Sequence, residues 1–82
     1  MKMKAFKLFK TYYSYIENKV VKEPLWTEAL EKDLVKLLDN AETKMKKENV
    51  SYKRINETTL YEHTEHNGVV LDFTYTIEHV TI

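Results

Sequence analysis

The hydrophobic pattern of the chain changes its period near the midpoint. From Met3 to about Val21, large apolar residues recur every three or four positions, and residues 25–48 keep that spacing. From Val50 onward, apolar and polar residues alternate instead. A period of about 3.6 residues is typical of a helix and a period of two is typical of a strand. The pattern therefore predicts helices in the first half of the chain and strands in the second.

Two helices are predicted, with Pro24 between them. The first runs from Met3 to about Val21, with an apolar stripe made of Phe6, Phe9, Tyr13, Ile16 and Val20. The second runs from Leu25 or Thr27 to Glu48, with an apolar stripe made of Leu30, Leu34, Leu37, Leu38, Ala41 and Met45. Proline is not accommodated in a helix interior, and a short connection joins antiparallel helices. We therefore expect an antiparallel helical hairpin.

Three strands are predicted at residues 50–55, 58–66 and 69–82, because these runs are rich in Val, Ile, Thr, Tyr and Phe. The dipeptide Asn67-Gly68 separates the last two runs and strongly favours a two-residue type I′ turn. The fold class expected for residues 1–82, as a single domain, is α+β. An antiparallel helical hairpin would pack on one face of a three-stranded antiparallel β-meander, in the order ααβββ.

The two-residue turn also predicts the register of the hairpin, with His63 opposite Asp72. One face then carries a usable core, consisting of Leu60, Leu71, Phe73, Tyr75 and Ile77. A three-residue turn is the alternative register. It would place Glu62 opposite Asp72, and like charges directly across a sheet repel each other.

The segment 61–68, YEHTEHNG, is the part of the chain that most resembles a chemical site. Its histidines, His63 and His66, are three residues apart on a predicted strand, so they point to opposite faces and cannot share a metal ion. The chain has no cysteine and a single glycine, so it can form neither a thiolate zinc site nor a glycine-rich phosphate loop. We expect no metal, no cofactor and no enzymatic activity.

Length and composition agree with a small globular domain. The 82 residues are 43% hydrophobic and 32% charged, which is not the composition of a disordered chain. No apolar run reaches the ~18 residues of a membrane span, and no signal-type apolar core follows the first lysines. The expected location is cytoplasmic.

Charge is unevenly distributed along the chain, although the formal net charge is zero. Lysines concentrate near the start of the chain and again between residues 44 and 54, and acidic residues dominate elsewhere. In an antiparallel helical hairpin the start of helix 1 lies beside the end of helix 2. Lys4 and Lys7 would then form a basic end together with Lys44 and Lys47.

Two further features bear on partners. Leu8, Tyr12 and Tyr15 form a shoulder outside the main stripe of helix 1, and they either roof the core or contact a partner. The last strand is longer than its predicted partner, so Val80 and Ile82 would extend beyond it. An unpaired strand edge of this kind would allow a homodimer through the last strand.

These features lead to a functional hypothesis. We expect a small non-enzymatic interaction protein that binds and regulates or inhibits a larger protein, of the anti-defence type that phages and mobile elements encode. The predicted partner-binding residues are Lys4, Lys7, Leu8, Tyr12, Tyr15, Lys44 and Lys47. The alternative is a small nucleic-acid-binding protein that uses the basic end. A single arginine in the chain weighs against base reading by that route.

Overall fold

The computed structural model of the protein describes residues 4–28 and 30–81. Within these residues, five strands and one helix follow each other in the order ββαβββ. The elements are β1 (Lys4–Ser14), β2 (Lys19–Glu28), α1 (Glu31–Lys47), β3 (Ser51–Asn56), β4 (Thr59–His66) and β5 (Val69–Thr81). The strands form one antiparallel sheet in the order β2-β1-β5-β4-β3. Helix α1 packs on one face of the sheet, which we call the helix-side face; the other is the open face.

The predicted helical hairpin on a three-stranded meander is wrong, because residues 4–28 form a β-hairpin. Strand β1 lies inside the sheet, between β2 and β5. Its apolar residues therefore occupy both faces, with Phe6 and Leu8 on one and Phe9 and Tyr13 on the other, and simple alternation is lost. Aromatic and β-branched residues favour strands, and here they override the helical spacing. Met3, where the predicted helix began, lies outside the described residues.

Pro24 lies within β2, not between two helices. Strand β2 is an edge strand, and its register with β1 shifts where Leu8 pairs with Trp26 and Phe9 pairs with Pro24. Leu25 is thus the extra residue of a bulge. Proline lacks an N–H group to donate, so an edge strand near a bulge is where a sheet tolerates it.

The second predicted helix is confirmed over residues 31–47, but its predicted start is wrong because residues 25–28 belong to β2. Its buried side chains are Leu34, Leu38 and Met45, spaced as one face of a helix requires. Acidic residues occupy its first turn and lysines its last turn, which suits the helix dipole. Among the described residues, no helix is long and apolar enough to cross a membrane.

The hairpin at Asn67-Gly68 is confirmed in the predicted register. His66 pairs with Val69, and His63 pairs with Asp72. Asn67 and Gly68 have φ values of 52° and 80°, the positive values that a type I′ turn requires. The core side of the hairpin is also as predicted, because Leu60 and Ile77 are buried.

Strand β5 is not the free edge that its length suggested. Residues 69–76 pair with β4, and residues 73–81 pair with β1 on the other side. The predicted overhang is therefore the part of β5 that joins the two hairpins into one sheet, and Val80 pairs with Ala5. Ile82 lies outside the described residues. The predicted homodimer through the last strand required an unpaired edge on that strand, and β5 is paired on both sides.

The core lies between α1 and the helix-side face of the sheet. We call the end where β1 begins the proximal end; the distal end carries the two hairpin turns, residues 15–18 and 67–68. The core cluster consists of Leu8, Leu34, Leu38, Met45, Leu60 and Ile77. On β1, Ala5 and Leu8 are buried, whereas no described side chain from Phe9 to Ser14 is.

Arg54 of β3 fixes α1 to the edge of the sheet. Its guanidinium donates to carboxylates of Asp39 (2.9 Å) and Glu42 (3.1 Å) on the helix. The same group donates to the backbone oxygens of Asn56 and Glu57, each at 2.7 Å. Its side chain is only 17% exposed, so these charge-assisted bonds form in a partly desolvated place where they are stronger than at an open surface.

Candidate interaction surface

Three of the predicted partner-binding residues, Lys4, Lys7 and Leu8, lie on the first half of β1. Lys4 begins β1 opposite Thr81, and Lys7 lies on the open face opposite Glu78. Leu8 is 7% exposed and belongs to the core cluster. The sequence predicts that the shoulder residues either cover the core or contact a partner. For Leu8 the first interpretation is correct.

The basic end predicted from a helical hairpin is not formed. Lys44 and Lys47 are exposed in the last turn of α1, which leads into Ser51 at the start of β3. Ser51 pairs with His63 of β4, level with the distal part of the sheet. Lys4 lies at the proximal end, nine strand residues or roughly 30 Å from the level of Ser51 at about 3.3 Å per strand residue. The lysines are separated because the helix crosses the sheet instead of lying beside a second helix.

Tyr12 lies on the helix-side face, beyond the part that α1 covers. Its hydroxyl donates to Glu23 (2.8 Å), and this bond is the main reason that the pKa of Tyr12 is raised above its ordinary value. Its ring packs at 5.8 Å from that of Phe73, and Lys10 Nζ lies over both rings. The hydroxyl and the ring of Tyr12 thus both contact residues of the same chain.

The turn between β1 and β2 is held by its own hydrogen bonds. The backbone oxygen of Ser14 accepts a bond from the Asn18 N–H (2.7 Å), and Ser14 Oγ accepts one from the Glu17 N–H (3.1 Å). Asn18 takes a positive φ of 57°, a conformation that asparagine tolerates better than most residues. The Tyr13 hydroxyl also donates to the Asn18 side chain. Ile16 makes none of these contacts, but they fix the backbone of the turn in which it lies.

Tyr15 connects this turn to the neighbouring hairpin. Pairing between β1 and β5 ends at Tyr12 and Phe73, and beyond that point the Tyr15 hydroxyl donates to the backbone oxygen of Val70 (2.9 Å). Its ring meets the Tyr13 ring edge-on at 5.1 Å. The ring is still 60% exposed, so Tyr15 both positions the turn and presents apolar surface.

Exposed apolar side chains concentrate at the distal end. Ile16 is 98% exposed at the tip of the β1–β2 turn. Six of the ten large hydrophobic residues that are exposed in the described part of the chain lie at this end. We call these six the distal patch: Tyr13, Tyr15, Ile16, Val20, Val69 and Val70. Only Tyr15 was among the predicted partner-binding residues.

The other members of the distal patch were missed because three of them were assigned to a buried helical stripe. Tyr13, Ile16 and Val20 fit a helical period by coincidence, since Ile16 lies in a turn. The polar triplet at residues 17–19 could have revealed that turn, because it separates two runs of aromatic and β-branched residues and contains an asparagine.

Tyr61 and His63 of the segment YEHTEHNG form a polar cluster with Asp72 on the open face. The predicted pair of His63 and Asp72 is confirmed, with Nδ1 and Oδ1 2.6 Å apart. A hydrogen bond to Asp72 is also the main reason that the pKa of Tyr61 is raised. His66 points to the other face of the strand, and within residues 4–28 and 30–81 no three side chains of ligand type are grouped for a metal ion.

A shallow groove of about 390 Å³ lies at the start of α1, lined by Glu31, Lys32, Val35 and Glu57. It contains two carboxylates and one ammonium group. Comparison with protein-family models, curated proteins and solved structures finds no match to the chain.

Proposed function

We propose that this protein is a small interaction protein that binds a larger protein through the distal patch and thereby regulates or inhibits it. The observation that carries the proposal is the 98% exposure of Ile16 on a turn held by hydrogen bonds. An isoleucine in this place contributes nothing to the protein's own core. Burying such a side chain in a partner is worth about 1.5–3 kcal/mol.

The grouping of the exposed residues supports the same proposal. Single exposed apolar residues are normal on a protein surface, but contiguous apolar patches mark interaction sites. In the distal patch, Tyr13, Val20 and Val70 share the open face, whereas Val69 points to the other face. The two tyrosines of the patch have rigid rings with a polar end, which is the residue type enriched in protein interfaces. Tyr15 satisfies its hydroxyl within the chain, so its exposed ring can be covered without leaving a buried polar group unpaired.

The charges around the patch do not suit a nucleic acid. The two turns and the residues beside them carry Glu17, Lys19 and Glu65, without a cationic cluster to neutralise phosphates. The alternative, nucleic-acid binding, required Lys4 and Lys7 to lie beside Lys44 and Lys47. The pairing register of the strands places the two pairs of lysines far apart. Lys4 and Lys7 therefore do not share a surface with Lys44 and Lys47 on which the four could contact DNA together.

The proposal can be tested by capture from cells that express the gene. The protein would be immobilised through a tag ahead of β1, so that the distal end stays free. We expect a protein that is captured by the wild type and lost, by about 10-fold or more, with Ile16→Asp. Ile55→Asp is the matched control, because Ile55 is an exposed isoleucine on β3, away from the patch. An identical set of captured proteins for all three would contradict the proposal.

A duplex-binding measurement distinguishes the alternative. With a labelled duplex of about 20 base pairs, we expect no binding tighter than micromolar at physiological salt. Submicromolar binding that weakens steeply with added salt would favour the nucleic-acid function and count against the distal patch.

A further inference from the structure

We propose that two copies of this chain pair through strand β2, antiparallel and edge to edge, so that their two five-stranded sheets become one continuous sheet. The paired segment is Lys19–Glu23 of each copy, and Val21 faces Val21 of the second copy across a two-fold axis. The proposal goes beyond the distal patch and does not depend on the larger partner. It rests on the position of β2, on the bounds of its regular edge and on the order of charges along it.

Strand β2 lies at an edge of the sheet. It is the first strand in the order β2-β1-β5-β4-β3, so its outer side has no neighbouring strand in the described part of the chain. In an antiparallel sheet, every second residue of an edge strand directs its N–H and C=O groups outward, where they can pair with another strand. Val20, near the start of β2, is 66% exposed. The outer side of β2 therefore presents both backbone groups and apolar surface to a second strand.

Only a short part of this edge is regular. At one end it stops at Asn18, which has a positive φ of 57° and belongs to the turn. At the other end it stops at Pro24, which has no N–H to donate and lies beside the bulge at Leu25. The segment between them is Lys19–Glu23, with Val21 at its centre. An antiparallel pair that uses the whole segment of both copies therefore has a single register, with Val21 opposite Val21.

The charges of the segment are complementary to those of a second copy in this register. Lys19 lies opposite Glu23 of the second copy, and Glu23 lies opposite its Lys19. Both residues lie on the helix-side face, so their side chains meet on one side of the sheet. Opposite charges directly across two strands stabilise the pair. A register shifted by two residues instead places Glu17 opposite Glu23, or Lys22 opposite Lys22, and like charges there repel each other.

Lys22 does not oppose the pairing, because its ammonium group lies over its own sheet. Lys22 Nζ is 2.5 Å from Glu78 Oε2 on β5 and 4.6 Å from the centre of the Phe9 ring on β1. The side chain thus leans away from the edge, and its charge is balanced within the chain. Near the two-fold axis, the open face then presents Val20 of each copy, and β-branched residues favour contacts between neighbouring strands.

The other edge of the sheet does not offer a comparable pairing. Strand β3 has six residues, and Lys53 and Arg54 are neighbours at its centre. Every antiparallel register that pairs the centres of two β3 strands therefore sets cations opposite each other, which is unfavourable. Charged residues on a short edge strand are a feature by which sheets resist pairing with another chain. We therefore assign the contact to β2 alone.

The dissociation constant of the purified protein tests the proposal first. Five residues of each copy bury less than the roughly 1,200–2,000 Å² of a stable interface, so the dimer is weak. In sedimentation velocity from about 10 μM to about 1 mM, we expect the mass to rise toward that of a dimer. A wild type that stays monomeric throughout would overturn the proposal. Growth into larger species would also overturn it, because pairing of β2 with β3 of the next copy gives an open chain instead of a closed dimer.

Charge reversal tests the register. In a dimer of Lys19→Glu, carboxylates lie opposite each other at both ends of the segment, and in a dimer of Glu23→Lys ammonium groups do. Each variant alone should dimerise about 10-fold or more weakly than the wild type. An equimolar mixture of the two variants should restore dimerisation, because every glutamate then faces a lysine across the heterodimer. That recovery would also show that both variants are folded.

The matched control reverses a charge on the opposite edge. Lys53→Glu should keep the dissociation constant within about 2-fold of the wild-type value, because Lys53 lies outside the paired segment. Equal dimerisation of the wild type and Lys19→Glu would mean that the copies associate elsewhere. A mixture that dimerises no better than its two components would exclude the register at Val21. The measurement uses purified protein without a partner, so its failure would leave the proposed function unaffected.

Discussion

The proximal and distal halves of this sheet use similar residues in opposite ways. In the proximal half, Leu8, Leu60 and Ile77 are buried under α1. In the distal half, Ile16, Val20 and Val70 are exposed, although they are equally apolar. The difference lies in what each residue faces. Leu8, Leu60 and Ile77 face α1, whereas Val20 and Val70 lie on the open face, which α1 does not cover, and Ile16 lies in the turn.

This difference indicates which residues serve the fold and which are free to serve a partner. Burial of apolar surface is the main stabilising contribution to folding, and here it is concentrated between α1 and the helix-side face. The distal end keeps its shape through hydrogen bonds of the turn and through the Tyr15–Val70 contact. Substitutions at the two ends should therefore affect different properties.

The largest expected effect on stability is at the centre of the core. Leu34 is 0% exposed, so Leu34→Ala should lower the free energy of unfolding by about 2–5 kcal/mol. Urea unfolding measures this loss. Leu37→Ala, three residues along the same helix but exposed, is the control and should change stability by less than about 1 kcal/mol. Similar losses for both would mean that the helix faces are assigned incorrectly.

A smaller loss is expected where α1 is attached to β3. Arg54→Ala removes the bonds to Asp39 and Glu42 and leaves two backbone oxygens without their donor. Hydrogen bonds to charged groups contribute about 1.5–3 kcal/mol, and a loss in that range should appear in thermal or urea unfolding. The neighbouring Lys53→Ala should be neutral within about 0.5 kcal/mol, because Lys53 is exposed on the open face. A neutral Arg54→Ala would contradict the attachment.

The turn at Asn67-Gly68 should be sensitive to backbone conformation alone. No atom lies within 4 Å of a Cβ added at Gly68, but its φ of +80° is one that residues with side chains rarely adopt. Gly68→Val should therefore cost about 1–2 kcal/mol from backbone strain. Asn67→Gly, which keeps the positive φ available, should be neutral or slightly stabilising. An unchanged melting temperature for Gly68→Val would argue against the type I′ turn.

The smallest predicted effect depends on pH. Burial, with a contribution from Glu62, raises the pKa of Tyr75 above its ordinary value of 10.0. Below that value the phenol is neutral in both folded and unfolded chains. Above it the unfolded chain ionises first, so stability should fall as the pH rises toward the folded pKa. Tyr75→Phe should make this alkaline decline shallower in urea unfolding compared at about pH 8 and about pH 10.5; an equally steep decline would exclude Tyr75 as a cause.

The second half of the chain could be predicted well because its signals are local. Asn67-Gly68 specifies its turn by backbone conformation, and the turn then determines that His63 faces Asp72. The helix from Glu31 to Lys47 was likewise recognisable from its apolar period.

The first half could not be predicted from periodicity, because β1 is a central strand whose two faces are both partly apolar. Its pairing with β5 joins residues more than 60 positions apart, such as Phe6 and His79, and no local pattern encodes that contact. The distal patch was missed for the same reason. Ile16 was placed in a buried stripe, and its exposure becomes evident only when residues 15–18 are seen to form a turn.

We infer that the aliphatic side chains of the distal patch do not stabilise the fold. The most direct test is the free energy of unfolding of a triple variant, Ile16→Asp with Val20→Thr and Val70→Thr, measured in urea against the wild type. We expect a difference within about 1 kcal/mol, because these side chains are exposed and the threonines keep the strand-favouring shape. A loss of about 3 kcal/mol or more, as for core substitutions, would show that the patch belongs to the core and would contradict its assignment to a partner.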